Sequence, residues 1–281
     1  MIPDQIILAT DFSPASTAAH SVAAKMAKLF NCKILIVHVF QYVARHRYAM
    51  PVGWMIEIIR SDVQRKILET QHVFTNMGLE TKALLVEDGF PTVEILNVAQ
   101  TYKAPVIVMG THAVAGMDRF LLGSTAEGVL RGAACPVITV GPHIHPAGTA
   151  NAINRLLFAT DFSKESLDAV PFVATLRDAA ASSLEVLYVE TNIDAVQSPL
   201  FHSLRAELDV PDMTRHHPAT EYLTLHGAAV AQAITNEAER LAADLLILGV
   251  KRASAFAAHL APKIAFQVIA AAPCAVMTIS S

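Results

Sequence analysis

The chain has 281 residues, 53% hydrophobic and only 16% charged, with a formal net charge of −4. About a quarter charged is usual, so a large buried core, an extensive interface or both is implied, and the broad basic face that grips nucleic acid is excluded. The apolar windows are too short for a membrane helix, no signal peptide is read at the start, and three cysteines give no disulfide framework or paired metal spacing, so a reducing, cytoplasmic setting is the expectation.

In chain order, Gln5 to Ala9 is a short apolar run fit for a parallel strand buried on both faces. Ser13-Pro14 offers an N-cap followed by proline in the first helical turn. Ala19, Val22, Ala23, Met26, Ala27 and Phe30 follow at helical spacing, and Asn31 can close that helix. Ile34 to Val39 reads as a second strand, Val52 to Asn76 as a long amphipathic helix and Thr81 to Val86 as a third strand. Thr92 to Thr101 is a helix, Val106 to Met109 a strand, Thr125 to Arg131 the start of a last helix and Val137 to Val140 a last strand. Alternating strands and helices predict a doubly wound α/β fold, a parallel sheet with helices on both faces.

The pattern then begins again. Ile7-Leu8-Ala9-Thr10-Asp11-Phe12-Ser13 returns as Leu157-Phe158-Ala159-Thr160-Asp161-Phe162-Ser163, an offset of 161 − 11 = 150. Farther on, Gly110 matches Gly249 and Cys135 matches Cys274, both at an offset of 139. The second copy is thus 11 residues shorter, and the loss falls between its second strand and its glycine. Repetition of order, spacing and chemistry marks a duplicated domain. The expected division is residues 1–141, a linker over 142–152 rich in proline and glycine, and residues 153–281.

Ligands of open parallel sheets bind beyond the carboxyl ends of the strands. In copy one Asp11 follows the first strand, His38 and Val39 end the second, and Gly110 follows the fourth, opening a loop that reaches Leu122-Gly123-Ser124-Thr125 and a helix start. Gly123 permits close backbone approach. The helix start offers free N–H groups and a positive dipole end to an anion, and Ser124 and Thr125 add hydroxyl donors. Gly110 would leave room for a ribose or phosphate. Asp11 can accept from a ribose or an adenine amine, or help hold Mg²⁺. Read from the residues alone, turn glycines and ordinary capping account for the same pattern equally well.

The stretch Gly110-x2-Ala113-x9-Gly123-Ser124 resembles the nucleotide loop of universal stress proteins, Gly-x2-Gly-x9-Gly-Ser/Thr. Ala-Thr-Asp-Phe-Ser and Cys135-Pro136-Val137 resemble that family too, once per repeat. The resemblance implies five-stranded α/β domains, binding of ATP or a related adenine nucleotide, and a role in stress survival or signalling. It would place Asp11 at the adenosine, the Val39 backbone at the adenine edge, and Gly110, Gly123 and Ser124 at ribose and phosphates, with Thr125 beside them. Ala113 stands where the second loop glycine belongs, and a methyl there would weaken binding by about 1–2 kcal/mol if positive φ is needed. The resemblance also implies pairing of domains through their last strands, Val137 to Val140 and Val276 to Ile279, within the chain or across a homodimer.

Copy two has Arg252, Pro262 and Lys263 in place of the second glycine, third glycine and hydroxyl residue, so no nucleotide is expected there. Twelve histidines, among them His143, His145, His202, His216 and His217, show no metal-ligand spacing. His38 and His112 border the expected pocket, and Arg45 and Arg47 lie in a loop that would fold toward it. Trp54, Ile58 and Ile59 are expected to pack on the sheet or a partner. No phosphate-binding Gly-x4-Gly-Lys loop or nucleophile elbow is present. The expected protein is a nucleotide-binding stress protein, the alternatives being a nucleotide-free dimeric scaffold or, at most, a slow nucleotide hydrolase.

Overall fold

The computed structural model describes residues 3–40, 53–103, 106–112, 122–141, 144, 152–191, 201–209, 220–251 and 263–280. Copy one runs β1 (Gln5–Ala9), α1 (Pro14–Phe30), β2 (Lys33–Phe40), α2 (Gly53–Asn76), β3 (Thr81–Glu87), α3 (Pro91–Thr101), β4 (Ile107–Gly110), α4 (Ser124–Gly132) and β5 (Val137–Val140). Copy two runs β6 (Arg155–Thr160), α5 (Lys164–Leu167), α6 (Val170–Ala180), β7 (Ser183–Glu190), α7 (Phe201–Leu208), β8 (Thr220–His226), α8 (Val230–Arg240), β9 (Leu245–Val250), α9 (Lys263–Ala271) and β10 (Ala275–Ser280).

Local chemistry sets the ends of α1 as the sequence predicts. The Ser13 hydroxyl accepts from the Ser16 N–H at 3.2 Å, and Asn31, at φ 49°, closes the helix in the left-handed conformation. The corresponding helix of copy two is broken into α5 and α6. Pro171, in the first turn of α6, has no N–H to continue the hydrogen-bond ladder. The 24-residue α2 of copy one is matched among the described residues by the 8-residue α7. Arg177 bolts this shorter helix down: its buried guanidinium donates to the Leu208 carbonyl and to Thr220 Oγ1.

The ten strands of the described residues form one sheet in the order β3-β2-β1-β4-β5-β10-β9-β6-β7-β8. Strands are parallel within each copy, and β5 and β10 meet antiparallel, with Thr139 opposite Val276, Ile138 opposite Met277 and Val137 opposite Thr278. The repeat offset of 139 carries Ile138 onto Met277 and Thr139 onto Thr278, so the central pair lies on a pseudo-twofold axis. Two buried hydroxyls repeat that symmetry: Thr139 Oγ1 donates to the Val276 carbonyl at 3.2 Å and Thr278 Oγ1 to the Val137 carbonyl at 3.4 Å. The last strands therefore pair within the chain. Residues of α1, α2, α6 and α7 share one face of the sheet with a continuous apolar core, and those of α3, α4, α8 and α9 share the other. Among the described residues no helix is long and apolar enough to cross a membrane.

Copy two carries charge inside its core. Glu185 of β7 and Glu237 of α8 occupy the positions of Leu35 and Val98 in copy one (185 − 35 = 150; 237 − 98 = 139). Glu185 is 3% exposed; one carboxyl oxygen accepts from Arg240 at 2.8 Å, and the Glu237 carboxyl lies beside it. Burial, then the adjacent Glu237 carboxylate, pushes its pKa up to about 7. The folded chain thus holds a proton that the unfolded chain releases near the ordinary glutamate value. Stability contributed by that proton is fully present below the unfolded pKa and is lost as pH rises through about 7. Glu185→Leu should raise the melting temperature, more at mildly alkaline than at mildly acidic pH, as scanning calorimetry at the two pH values would show.

Candidate functional site

A cavity of about 700 Å³ opens at the carboxyl ends of β1, β2 and β4 in copy one. β1 lies between β2 and β4. The connection through α2 covers one face and that through α3 the other, so the cavity occupies the crossover point of the sheet. Asp11, Val39, Gly110, Gly123, Ser124 and Thr125 all line it. Ala113, the loop with Arg45 and Arg47, and Arg252 and Pro262 of copy two lie outside the described residues.

The turn between β1 and α1 is a tight hydrogen-bonded unit. Asp11 Oδ1 accepts from the Ser13 N–H at 3.0 Å, Thr10 Oγ1 accepts from the Phe12 N–H at 3.1 Å, and the Thr10 hydroxyl donates to Ser16. Closing it drives Phe12 to φ 61°, which costs an aromatic residue on the order of 1 kcal/mol. Copy two builds the same turn with Thr160, Asp161, Phe162 at φ 58° and Ser166. Asp11 in copy one and Asp161 in copy two therefore both hold this turn. Burial works to raise the Asp11 pKa, but hydrogen bonds from Ser13 and Ser16 and the charge of His112 outweigh it and hold the carboxyl below its usual range. It stands ionised at the cavity wall.

The two glycines differ in their reasons. A Cβ on Gly110 would lie 2.2 Å from the Ala15 carbonyl oxygen, and one on Gly249 would lie 2.3 Å from the Cα of Ser166. Helix backbone packs directly on the strand end in both copies, so glycine is demanded there by the fold. Gly123, the N-cap of α4, has φ 87° and open space where a side chain would go. Its glycine is demanded by backbone conformation. No side chain caps α4, its first residues Ser124 to Ala126 line the cavity, and Glu127 in the first turn is paired with Arg131 at 2.8 Å. Ser124 is the first residue of the helix, after the cap.

Sequence reading missed one wall. Asp62 and Lys66 of α2, paired at 2.7 Å, line the cavity together with Ile59 and Val63. Their spacing of four on a helix was the available signal. In copy two α9 begins at Lys263, the position of Ser124 (263 − 124 = 139). There Tyr188, Phe162, Phe201 and Tyr222 form a chain of ring contacts with centroids 5.0–5.3 Å apart. Copy one has a cavity beside Phe12; copy two has packed rings beside Phe162.

The sequence profile of the universal stress protein family matches residues 3–141 and again residues 152–280. This chain belongs to the universal stress protein family. A universal stress protein of Methanocaldococcus jannaschii is 30% identical over 138 residues, 48% of this chain and 81% of its own length. A crystal structure of a universal stress protein from Archaeoglobus fulgidus superposes with a TM-score of 0.79 at 19% identity, over 99% of this chain and 98% of its own, which shows the shared tandem fold. A universal stress protein solved in complex with cAMP matches 46% of this chain and 98% of its own, at 20% identity and a TM-score of 0.38.

For this universal stress protein, Gly110→Ala and Gly249→Ala should each destabilise by about 3 kcal/mol or more, since the added carbon meets backbone that cannot rotate away. Denaturant unfolding of both variants checks this. A neutral Gly249→Ala would remove the helix-packing account of the two glycines.

Proposed function

We propose that this tandem universal stress protein binds ATP or a related adenine nucleotide, with Mg²⁺, in copy one alone, and serves stress response through that binding. The observation that carries the reading is the cavity itself, which combines an uncapped helix start with an ionised carboxylate and an open strand end. Its size falls in the usual range for small-ligand sites. The N–H groups and hydroxyls of Gly123, Ser124 and Thr125 would meet the phosphates, favoured by the helix dipole. The Val39 backbone would meet the adenine edge, and Asp11 the ribose or a phosphate-bound Mg²⁺, for which a carboxylate oxygen is a suitable hard ligand. Gly110 would form the floor beneath the ribose. Ala113 would stand for the second glycine of the family's nucleotide loop.

Copy two would serve as structural partner. Its helix starts with a cation-bearing residue where copy one has a hydroxyl, and its rings pack where copy one is open. β5 and β10 already cover each other's edges, so a homodimer would assemble through another surface. The most exposed of the large apolar side chains among the described residues, Trp54 and Ile58 at 60% and Phe90 at 73%, favour a scaffold reading in which the protein acts through a protein contact.

Titration of the protein with ATP and Mg²⁺ by calorimetry, alongside Gly123→Arg, separates these readings. One site per chain, abolished in a variant that keeps its circular dichroism, is the expected result. Absence of binding in the parent protein would leave the scaffold reading.

A further inference from the structure

His38 lies between Val37 and Val39, whose side chains join the α3/α4 face, so its own side chain turns to the α1/α2 face. There its Nδ1 lies 2.8 Å from the Thr10 carbonyl oxygen. A carbonyl only accepts, so Nδ1 carries the proton and donates. Phe12 packs against the ring at a centroid distance of 4.5 Å. With one nitrogen tied and one face covered, the imidazole cannot turn. The second nitrogen, Nε2, has no partner among the described residues and is not sealed from solvent, and His38 lines the cavity. The charged groups near the ring are Asp11, which favours its protonation, and Lys66, which opposes it; burial opposes it most, and the pKa lies below the usual histidine value. Lys66 is itself engaged by Asp62, and Asp11 by Ser13 and the charge of His112. Copy two has Tyr188 at this position (188 − 38 = 150), and its hydroxyl is engaged with Glu190 at 3.1 Å. The free acceptor and the hydroxyl-bearing helix start are thus absent together.

Resting on the adenine-nucleotide reading, we propose that His38 reads the nucleoside, presenting Nε2 as a fixed acceptor to a hydrogen-bond donor of the ligand, either the exocyclic amine of adenine or a ribose hydroxyl. A base carrying a carbonyl oxygen in place of that amine would set lone pair against lone pair and bind more weakly. Protonation of His38 at acid pH turns Nε2 into a donor and erodes the preference for the amine.

Calorimetry on the full chain with Mg²⁺ at neutral pH tests this, using ATP, its inosine counterpart ITP, and the 2′- and 3′-deoxy analogues of ATP. His38→Asn keeps a donor for the Thr10 carbonyl and loses the acceptor at the Nε2 position; His38→Gln places an acceptor there again. Loss of one such hydrogen bond should weaken ATP about tenfold in His38→Asn, with most of it recovered in His38→Gln. ITP weaker than ATP by about tenfold on the parent protein, with the difference abolished in His38→Asn, assigns the amine. A deoxy analogue weakened in the same way, with ITP equal to ATP, assigns the ribose hydroxyl. Full binding by His38→Asn with loss in His38→Gln would show that the residue only anchors Thr10 and would overturn the proposal, as would equal affinity of the parent protein for all four ligands. A parent protein that binds none of them overturns the nucleotide reading itself, a distinct failure.

Discussion

The antiparallel meeting of β5 and β10 is the contact on which the rest of the architecture depends. A parallel five-stranded sheet ends in a strand whose outer N–H and C=O groups have no partner, and such an edge invites pairing with another chain. Here each copy's last strand covers the other's. The register is centred on Ile138 and Met277, so the two sheets join with their faces aligned and the helix layers meet across the seam. Arg131 of α4 lies 5.4 Å over the Phe266 ring of α9, and Ser280 Oγ donates to the Ala133 carbonyl at 2.9 Å. A chain with 53% hydrophobic residues buries them in two continuous cores, one on each face of a single ten-stranded sheet.

Locking two copies together relaxes the demands on one of them. Copy two retains what the fold needs: the Thr160-Asp161-Phe162 turn with its positive φ, and Gly249 against the start of α5. It departs where a crevice would be. The shortened α7 is held by Arg177, its first residue Phe201 packs on Phe162 and Tyr222, and the cation of Arg205 lies 4.7 Å over the Tyr222 ring. It also tolerates a buried Glu185 beside Glu237, an arrangement that needs a shared proton or a nearby cation to be compatible with burial. Copy one fills the same place with leucine and valine.

In copy one the polar groups at the strand ends are arranged by backbone more than by side chains. The anion-attracting element is a helix start whose capping residue, Gly123, has no side chain to compete for its N–H groups. Asp11 and His38 are both fixed by hydrogen bonds to the same turn, one to the Ser13 N–H and one to the Thr10 carbonyl, so a negative group and a neutral acceptor hold stable positions on one wall. Preorganisation of this kind lowers the ordering penalty of binding.

The strands and helices of copy one, the caps of α1 and the duplication itself were legible in the sequence, whereas α4 is capped by Gly123 and begins at Ser124. Burial period and capping act within windows of a few residues, and Ser13, Pro14 and Asn31 carry the boundaries of α1 in their own chemistry. The break in copy two is equally local, since Pro171 carries it in its missing N–H. Tertiary structure alone decided that the last strands pair within the chain, that the backbone of Ala15 leaves no room for a side chain at Gly110, and that Asp62 and Lys66 wall the cavity. Those outcomes depend on the approach of surfaces distant in sequence, such as Val137 and Thr278, and no local hydrogen bond or periodicity encodes which surfaces meet.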